Sequence, residues 1–286
     1  MPAIVTLDIY SGVPNPSWTL SDDQVQELQR KIGRTSGAEA QGGSLPVLGY
    51  RGFIIRPVES EHAPGPRVEG LEASHEGAEE SVLSGIPEAE DFVLSTAGEA
   101  VDAELTRHVR EAISAGTTRA ALAEAAAEAA RVTCPRCHAA DAPAYNPGFW
   151  NAPGRQPRNN CYNYANDQAT NTFAQPGRAS GRMYTALTCQ SVQPAAVSDG
   201  LAACPNFHGA LARGHGWYVA LVIWPGRDYH WYRQDNVGCW SHKPGSTPAR
   251  NTDNSGAAIA DPRTCNRGNY TQFCSYMITT RRVRIR

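Results

Sequence analysis

The fold of the second half of this chain is decided between Trp217 and Gln234, where the sequence reads WYVALVIW-PGR-DYHWYRQ. The first eight residues are almost wholly apolar, and the last seven alternate aromatic and polar side chains; both patterns are typical of β-strands. The Pro-Gly-Arg segment between them predicts a turn. We therefore expect two adjoining antiparallel strands, one ending at Trp224 and the other beginning at Asp228.

A helix and a closing strand are predicted on either side of this pair. Asn159 or Asn160 can cap a helix that continues through Cys161 toward Thr170. The stretch from Tyr270 to Arg284 alternates as a strand does, with one irregularity. The second half thus reads as a helix followed by an antiparallel sheet.

The first half has a β-loop-α beginning, which predicts a small α/β domain. A strand is expected from Ala3 to Tyr10, followed by a loop that Pro and Gly interrupt. The capping box Ser21-Asp22-Asp23-Gln24 opens a helix that should end before Gly33. Further predictions are a strand over 50–58, a flexible acidic segment over 59–91, and helices over 100–114 and 118–132.

Charge and cysteine content divide the chain near Val132. Residues 133–286 contain 16 arginines and lysines, seven aspartates and no glutamate, a net +9, whereas residues 1–132 carry −11. All eight cysteines and five of the six tryptophans lie in the second part. We expect two domains, 1–132 and 133–286. Their opposite charges favour intramolecular docking, and the alternative is that the basic domain meets an anionic substrate or partner.

The compartment is predicted to be the cytoplasm by default, because no signal peptide is visible, with export by another route left open. No apolar stretch approaches the 18 residues of a membrane span. Eight cysteines would also suit an exported disulfide framework.

Cys161 is the candidate nucleophile, since a helix N-terminus stabilises a thiolate and lowers the thiol pKa. The alternative is a buried structural thiol. His215 follows about fifty residues later at the start of an apolar strand, and the next strand ends at Gln234 and Asp235. A cysteine on a helix, a histidine on a strand and a polar group to orient it are the parts that nucleophilic catalysis needs.

In this order of elements the chain resembles the papain-like cysteine hydrolase superfamily, including its CHAP-type amidase branch, over roughly residues 156–235. The resemblance implies a papain-like domain, with the nucleophile helix packed on an antiparallel sheet, and hence an α+β protein. It implies Cys161 as nucleophile, His215 as base, Gln234 or Asp235 as the group that orients the histidine, and Gln156 as an oxyanion donor.

His230 competes with His215 for the role of base. Folding the two strands about their turn places Tyr218 or Val219, not His215, opposite Gln234. His230 shares a strand face with Gln234, where a polar stripe could line a cleft. His242, beside a turn, is a candidate for a supporting role.

Cys134 and Cys137 have the spacing of half a structural zinc site. Cys265 and Cys274 could complete it, or could pair as a disulfide, as could Cys189 with Cys204. The leading reaction requires no cofactor, and no phosphate-binding or dinucleotide fingerprint is present.

The leading prediction of function is a cysteine hydrolase or acyltransferase, a peptidase or amidase that acts on a peptide-like, anionic amide substrate. The alternative is a non-enzymatic binding or toxin-like module whose cysteines are structural, held by zinc or disulfides. A third reading is a metalloenzyme built on His208, His215, His230 and His242. Nucleic acid is not favoured as a partner, because arginines and aromatics do not interleave within one element.

Overall fold

A computed structural model describes residues 1–34, 45, 47–58, 80–116, 134, 139–207 and 209–286. The chain forms two compact units. The first comprises Met1–Ile9 and Asn15–Ala123, and the second comprises Tyr10–Pro14 and Glu124–Arg286. The predicted boundary near Val132 lies outside the described residues and stays a prediction. The sequence did not indicate that a short segment of the first half would belong to the second unit.

The first unit contains a sheet of four strands: β1 Ala3–Asp8, β2 Ser17–Leu20, β3 Gly52–Pro57 and β4 Ser81–Leu83. Their order in the sheet is β2-β1-β3-β4. Every neighbouring pair is antiparallel, with Val5 of β1 opposite both Trp18 of β2 and Ile55 of β3. The unit is therefore α+β, and the expectation of an α/β domain is wrong.

Within the described residues of this unit, the α-helices are α1 Asp22–Arg34, α2 Pro87–Ser95 and α3 Ala103–Ala115. The capping box is confirmed, because the Ser21 and Gln24 side chains each accept a bond from the other's backbone N–H, at 3.3 and 2.9 Å. Gly33 lies inside α1 and does not end it. β4 and α2 fall within the segment predicted to be flexible, so that prediction is wrong for residues 80–91. The helix predicted over 118–132 lies outside the described residues.

The second unit is built on an antiparallel sheet of five strands: β5 Ala202–Cys204, β6 Trp217–Trp224, β7 Asp228–Gln234, β8 Trp240–His242 and β9 Gln272–Thr279. Their order in the sheet is β5-β9-β6-β7-β8. The strand pair predicted from the sequence is confirmed as β6 and β7, with Val222 opposite His230. The closing strand is also found, as β9. β5 and β8 were not predicted, and both have only three residues.

Helix α5, Cys161–Ala165, packs on the centre of this sheet. The Tyr162 ring lies 5.4 Å from the ring of Trp231 on β7, and the Trp217 indole donates to the Ala165 carbonyl at 2.9 Å. The helix begins where the sequence predicts and ends well before Thr170. Two further helices are α4 Pro147–Trp150 and α6 Cys189–Ser198. An α+β class with a helix on an antiparallel sheet is thus observed.

Candidate functional site

The predicted nucleophile lies inside the protein. Asn160 caps α5 by accepting from the N–H groups of Tyr162 and Asn163, so the helix start is well defined. Cys161 is fully buried in an apolar cluster that includes Tyr162 and Trp231. Burial raises the pKa of the Cys161 thiol well above its usual value, and the charge of Asp228 raises it further. The expected lowering of this pKa is therefore wrong, because desolvation outweighs the dipole of a five-residue helix.

Cys161 and His230 lie on opposite faces of β7. Side chains alternate along a strand, and Tyr229 and Trp231 belong to the apolar cluster that contains Cys161. His230, between them in sequence, contacts instead the rings of Tyr232 and Tyr270, at 4.8 and 5.8 Å. The structure thus separates the predicted nucleophile from this candidate base by the thickness of the sheet.

His230 is paired with another buried histidine. Its Nε2 lies 2.9 Å from Nδ1 of His242 on β8, and His242 Nε2 lies 3.0 Å from the Thr252 carbonyl oxygen. The His242 ring stacks on Tyr232 at 4.9 Å and 20°. Both histidines are almost fully buried. Their nitrogens therefore serve contacts within the protein interior.

His215 is exposed and precedes β6, outside the paired strands. Val219 is paired with Arg233, which agrees with the sequence-based register that leaves His215 beyond Gln234. Gln156 is buried, and its carbonyl accepts from Lys243 at 2.6 Å. Lys243 also donates to the carbonyls of Asn159 and Gly245, at 2.5 and 2.7 Å. This lysine therefore ties together the segments around the start of α5.

The groups predicted to orient a histidine are engaged with an arginine and a turn. Asp235 accepts from Arg233 at 3.0 Å, and Arg233 also donates to Asp167 at 3.1 Å. The Arg233 guanidinium lies 4.1 Å from the ring centre of Tyr164, on α5. Gln234 makes a long contact of 3.5 Å with the Gly238 carbonyl. These contacts join β7 to α5 and to the turn after β7.

Asp228, which the sequence analysis did not single out, is bonded to a segment far from it in the sequence. Its carboxylate accepts from the backbone N–H groups of Ser11, Gly12 and Val13, at 2.5, 3.1 and 2.9 Å, and from the Tyr270 hydroxyl at 2.5 Å. Burial raises the pKa of Asp228 to about 6, although these bonds lower it. Successive N–H groups aimed at one anion form a nest, and here the anion belongs to the protein itself.

Gly12 fits where a larger residue would not. Its carbonyl accepts from the Asn160 and Gln175 side chains, at 3.0 and 2.8 Å, and from the Tyr229 hydroxyl at 3.2 Å. A Cβ on Gly12 would come within 2.4 Å of the Tyr229 ring. The only sequence signals for this arrangement are the isolated glycine and an aspartate at the start of a buried strand, and neither is specific.

Two disulfides hold the second unit, Cys134–Cys239 and Cys189–Cys274, with Cα atoms 4.9 and 5.3 Å apart. A disulfide-bonded Cys134 cannot supply a thiolate to zinc, so a zinc site with Cys134 is excluded; Cys137 lies outside the described residues. The pairings of Cys189 with Cys204 and of Cys265 with Cys274 are wrong. In the described ranges, no group of three histidine, cysteine or acidic side chains could hold a metal ion.

The positions of the histidines do not support the prediction of a metalloenzyme. His230 and His242 contact each other, His215 is exposed elsewhere, and His208 lies outside the described residues. Of the helices that the structure describes, none has the length and apolar character to cross a membrane.

Fold and site together define a disulfide-bonded α+β protein in which Cys161, His230 and His242 are buried. The chain is 50% identical over 141 residues to insoluble matrix shell protein 1 of Ruditapes philippinarum; the match covers 49% of this chain and 93% of that protein. The chain belongs to the family of this shell matrix protein. No family model matches the chain, and no solved structure does.

This family membership overturns the prediction of a cysteine hydrolase or acyltransferase, and with it the prediction of an enzyme. The alternative, a non-enzymatic module with structural cysteines, agrees better with the relative and with the two disulfides. The cytoplasmic prediction is also wrong, because a reducing cytosol does not maintain structural disulfides and the relative is a shell matrix protein.

Proposed function

We propose that this protein is a structural component of an insoluble extracellular matrix. The observation that carries the proposal is the 50% identity to insoluble matrix shell protein 1, of which the chain covers 93%. Identity at this level over nearly the whole relative supports a shared role as well as a shared fold.

The interior of the second unit supports the same role. Cys161, His230 and His242 are buried, and the two histidines bond each other. Hydrogen bonds between buried side chains, such as that between His230 Nε2 and His242 Nδ1, favour one packing of a domain. Two disulfides add covalent links suited to an oxidising environment outside the cell. Rigidity and covalent closure are useful to a protein that must persist in a solid.

Sequential extraction of the source tissue tests the proposal. Tissue is extracted with buffer, then with a chelator of divalent cations, and then with denaturant plus reductant, and an antibody against the chain follows it in each fraction. We expect the chain in the residue left by buffer, with release in the later steps. Recovery of most of the chain in the first extract, together with a cytosolic marker, would overturn the proposal.

Non-reducing peptide mapping of the chain from that tissue gives a second readout. The expected peptides are those joined by Cys134–Cys239 and Cys189–Cys274. If all four cysteines are instead recovered as free thiols after rapid alkylation, the extracellular location is wrong.

A further inference from the structure

In the described part of the second unit, the charged side chains that are exposed are all arginines. Residues 133–286 contain no glutamate, and each of their seven aspartates is buried or half-buried. Their one lysine, Lys243, is buried as well. Among the described residues of this part, nine arginines are exposed: Arg158, Arg178, Arg182, Arg213, Arg263, Arg281, Arg282, Arg284 and Arg286.

The aspartates are used internally, so they do not neutralise this surface. Asp199, for example, accepts from the Tyr162 hydroxyl at 3.0 Å and from the backbone N–H groups of Gly177 and Ser180, at 2.7 and 3.2 Å. Asp228 is bonded to residues 11–13 and to Tyr270. Carboxylates placed inward leave the arginines as the groups that a partner would meet.

Five of the arginines lie on adjoining segments. The Arg286 carbonyl accepts from the N–H of Gln175 at 2.9 Å, and the Arg284 N–H donates to the Asp199 carbonyl at 3.1 Å. Arg178 and Arg182 are on the turn that follows Gln175, bonded to it and to Gly177. We call this set the arginine face; its members are Arg178, Arg182, Arg282, Arg284 and Arg286. Across the described ranges, none of the five forms a salt bridge with a carboxylate.

Exposed arginines alternate with buried apolar residues over 282–286. Val283 and Ile285 are buried, at 1% and 7% exposure, whereas Arg282, Arg284 and Arg286 are exposed. Gln168 holds the Val283 carbonyl through a bond of 2.9 Å, which fixes the segment on the unit. After the turn at 281–282, the alternation over 283–286 is typical of extended backbone, in which every second side chain repeats at about 7 Å.

The chemistry and the interval together indicate the partner. A guanidinium group binds a carboxylate through two parallel hydrogen bonds, which a lysine cannot do. An extended polypeptide with an acidic residue at every second position repeats its carboxylates at the same interval of about 7 Å as the arginines of an extended segment.

We propose that the arginine face binds extended acidic polypeptides, which would join this protein to acidic protein within the same solid. The inference deepens the proposed function by naming the partner class. It rests on the surface charge of the second unit, and it is tested with purified protein in solution. Its failure therefore leaves the outcome of tissue extraction unaffected.

Binding of fluorescently labelled poly-L-aspartate to the full chain, measured by anisotropy at low and at near-physiological salt, tests the proposal. The variant R284Q/R286Q removes two charges of the arginine face, and R34Q/R107Q removes two exposed arginines of the first unit as a matched control. We expect R284Q/R286Q to weaken binding about tenfold, as the loss of two exposed ion pairs implies, and the control to weaken it much less.

The other outcomes contradict the proposal in separate ways. An equal loss in both double variants would mean that net charge, and not the arginine face, attracts the polymer. Tighter binding of chondroitin sulfate than of poly-L-aspartate at equal charge concentration would make the partner a polysaccharide. Absence of binding at low salt, with the circular dichroism of all variants unchanged, would overturn the proposal outright.

Discussion

The Asp228 carboxylate is fully buried, yet three backbone N–H groups and the Tyr270 hydroxyl donate to it. An asparagine at this position would keep one accepting oxygen and would direct an NH2 group at N–H donors. We therefore expect Asp228→Asn to lower the free energy of unfolding at pH 7 by about 2 kcal/mol or more. Urea unfolding of the two proteins measures this difference.

The same carboxylate makes stability depend on pH. Burial raises the pKa of Asp228 from 3.8 to about 6, so between these values the folded protein binds a proton that the unfolded chain releases. This contribution is full below about pH 4 and is lost as the pH rises through about 6, by up to about 3 kcal/mol. Subtracting the Asp228→Asn curve removes the other groups. A difference curve that is flat between pH 4 and 7 would contradict the assigned shift.

Cys161 is expected to react slowly with iodoacetamide in the folded protein. The thiol is fully buried and its pKa is raised, so both access and thiolate formation require local opening. At about pH 7 we expect labelling at least roughly a hundredfold slower than in the same chain unfolded in urea. Mass spectrometry of the Cys161 peptide gives both rates. Rapid labelling in the native state would show that the thiol is accessible and activated.

At the scale of the element, Gly12 decides whether the segment 10–14 can lie against β7. A methyl group there would meet the Tyr229 ring at 2.4 Å, and the ring is itself packed in the core. We expect Gly12→Ala to lower the free energy of unfolding by about 2 kcal/mol, as overpacked cores do. Chemical unfolding followed by tryptophan fluorescence measures it.

Gly33→Ala is the matched control for this substitution. Gly33 lies near the end of α1 with no atom within 4 Å of an added Cβ, and alanine has the higher helix propensity. We expect a gain of about 0.5–1 kcal/mol. If Gly12→Ala were equally harmless, the close approach to Tyr229 would not constrain the segment.

The elements that the sequence predicted are those with a strong local signal. β6 and β7 are recognisable because eight apolar residues, a Pro-Gly turn and an alternating strand stand together, and α5 begins at the asparagine expected to cap it. β5 and β8 have three residues each, too few for a periodic pattern. Helix α6 contains Pro194, which as a single residue argues against a helix.

The candidate site was beyond prediction for a different reason. A cysteine at a helix start can be activated by the dipole or silenced by burial, and only packing decides which effect prevails. For Cys161 the core of Tyr162, Trp231 and Tyr229 decides it. The contact of Ser11 and Gly12 with Asp228 joins residues more than 200 positions apart, and no local pattern encodes such a pair.

At the scale of the whole molecule, a short segment from the first half of the sequence is part of the second unit. Tyr10–Pro14 belongs to the second unit, while β1 and β2 on either side of it belong to the first. We therefore expect the pieces 1–132 and 133–286, expressed together, to co-purify through a tag on one of them. Native gel filtration of the tagged product checks this expectation.

The control is the same pair of pieces with Asp228→Asn and Gly12→Ala. These substitutions weaken the backbone hydrogen bonds to residue 228 and place a methyl group against the Tyr229 ring, so piece 1–132 should separate from piece 133–286. If the unaltered pieces separate at once in dilute buffer, then residues 10–14 contribute little to the second unit. If the doubly altered pieces stay together, another contact joins them.

The position of residues 10–14 in the second unit also sets the order in which parts of the chain can fold during synthesis. These residues leave the ribosome early, but the carboxylate that receives them is made more than 200 residues later. Until residues 10–14 bind, Asp228 lacks the three backbone donors that they supply. Completion of the second unit therefore requires nearly the whole chain to have been synthesised.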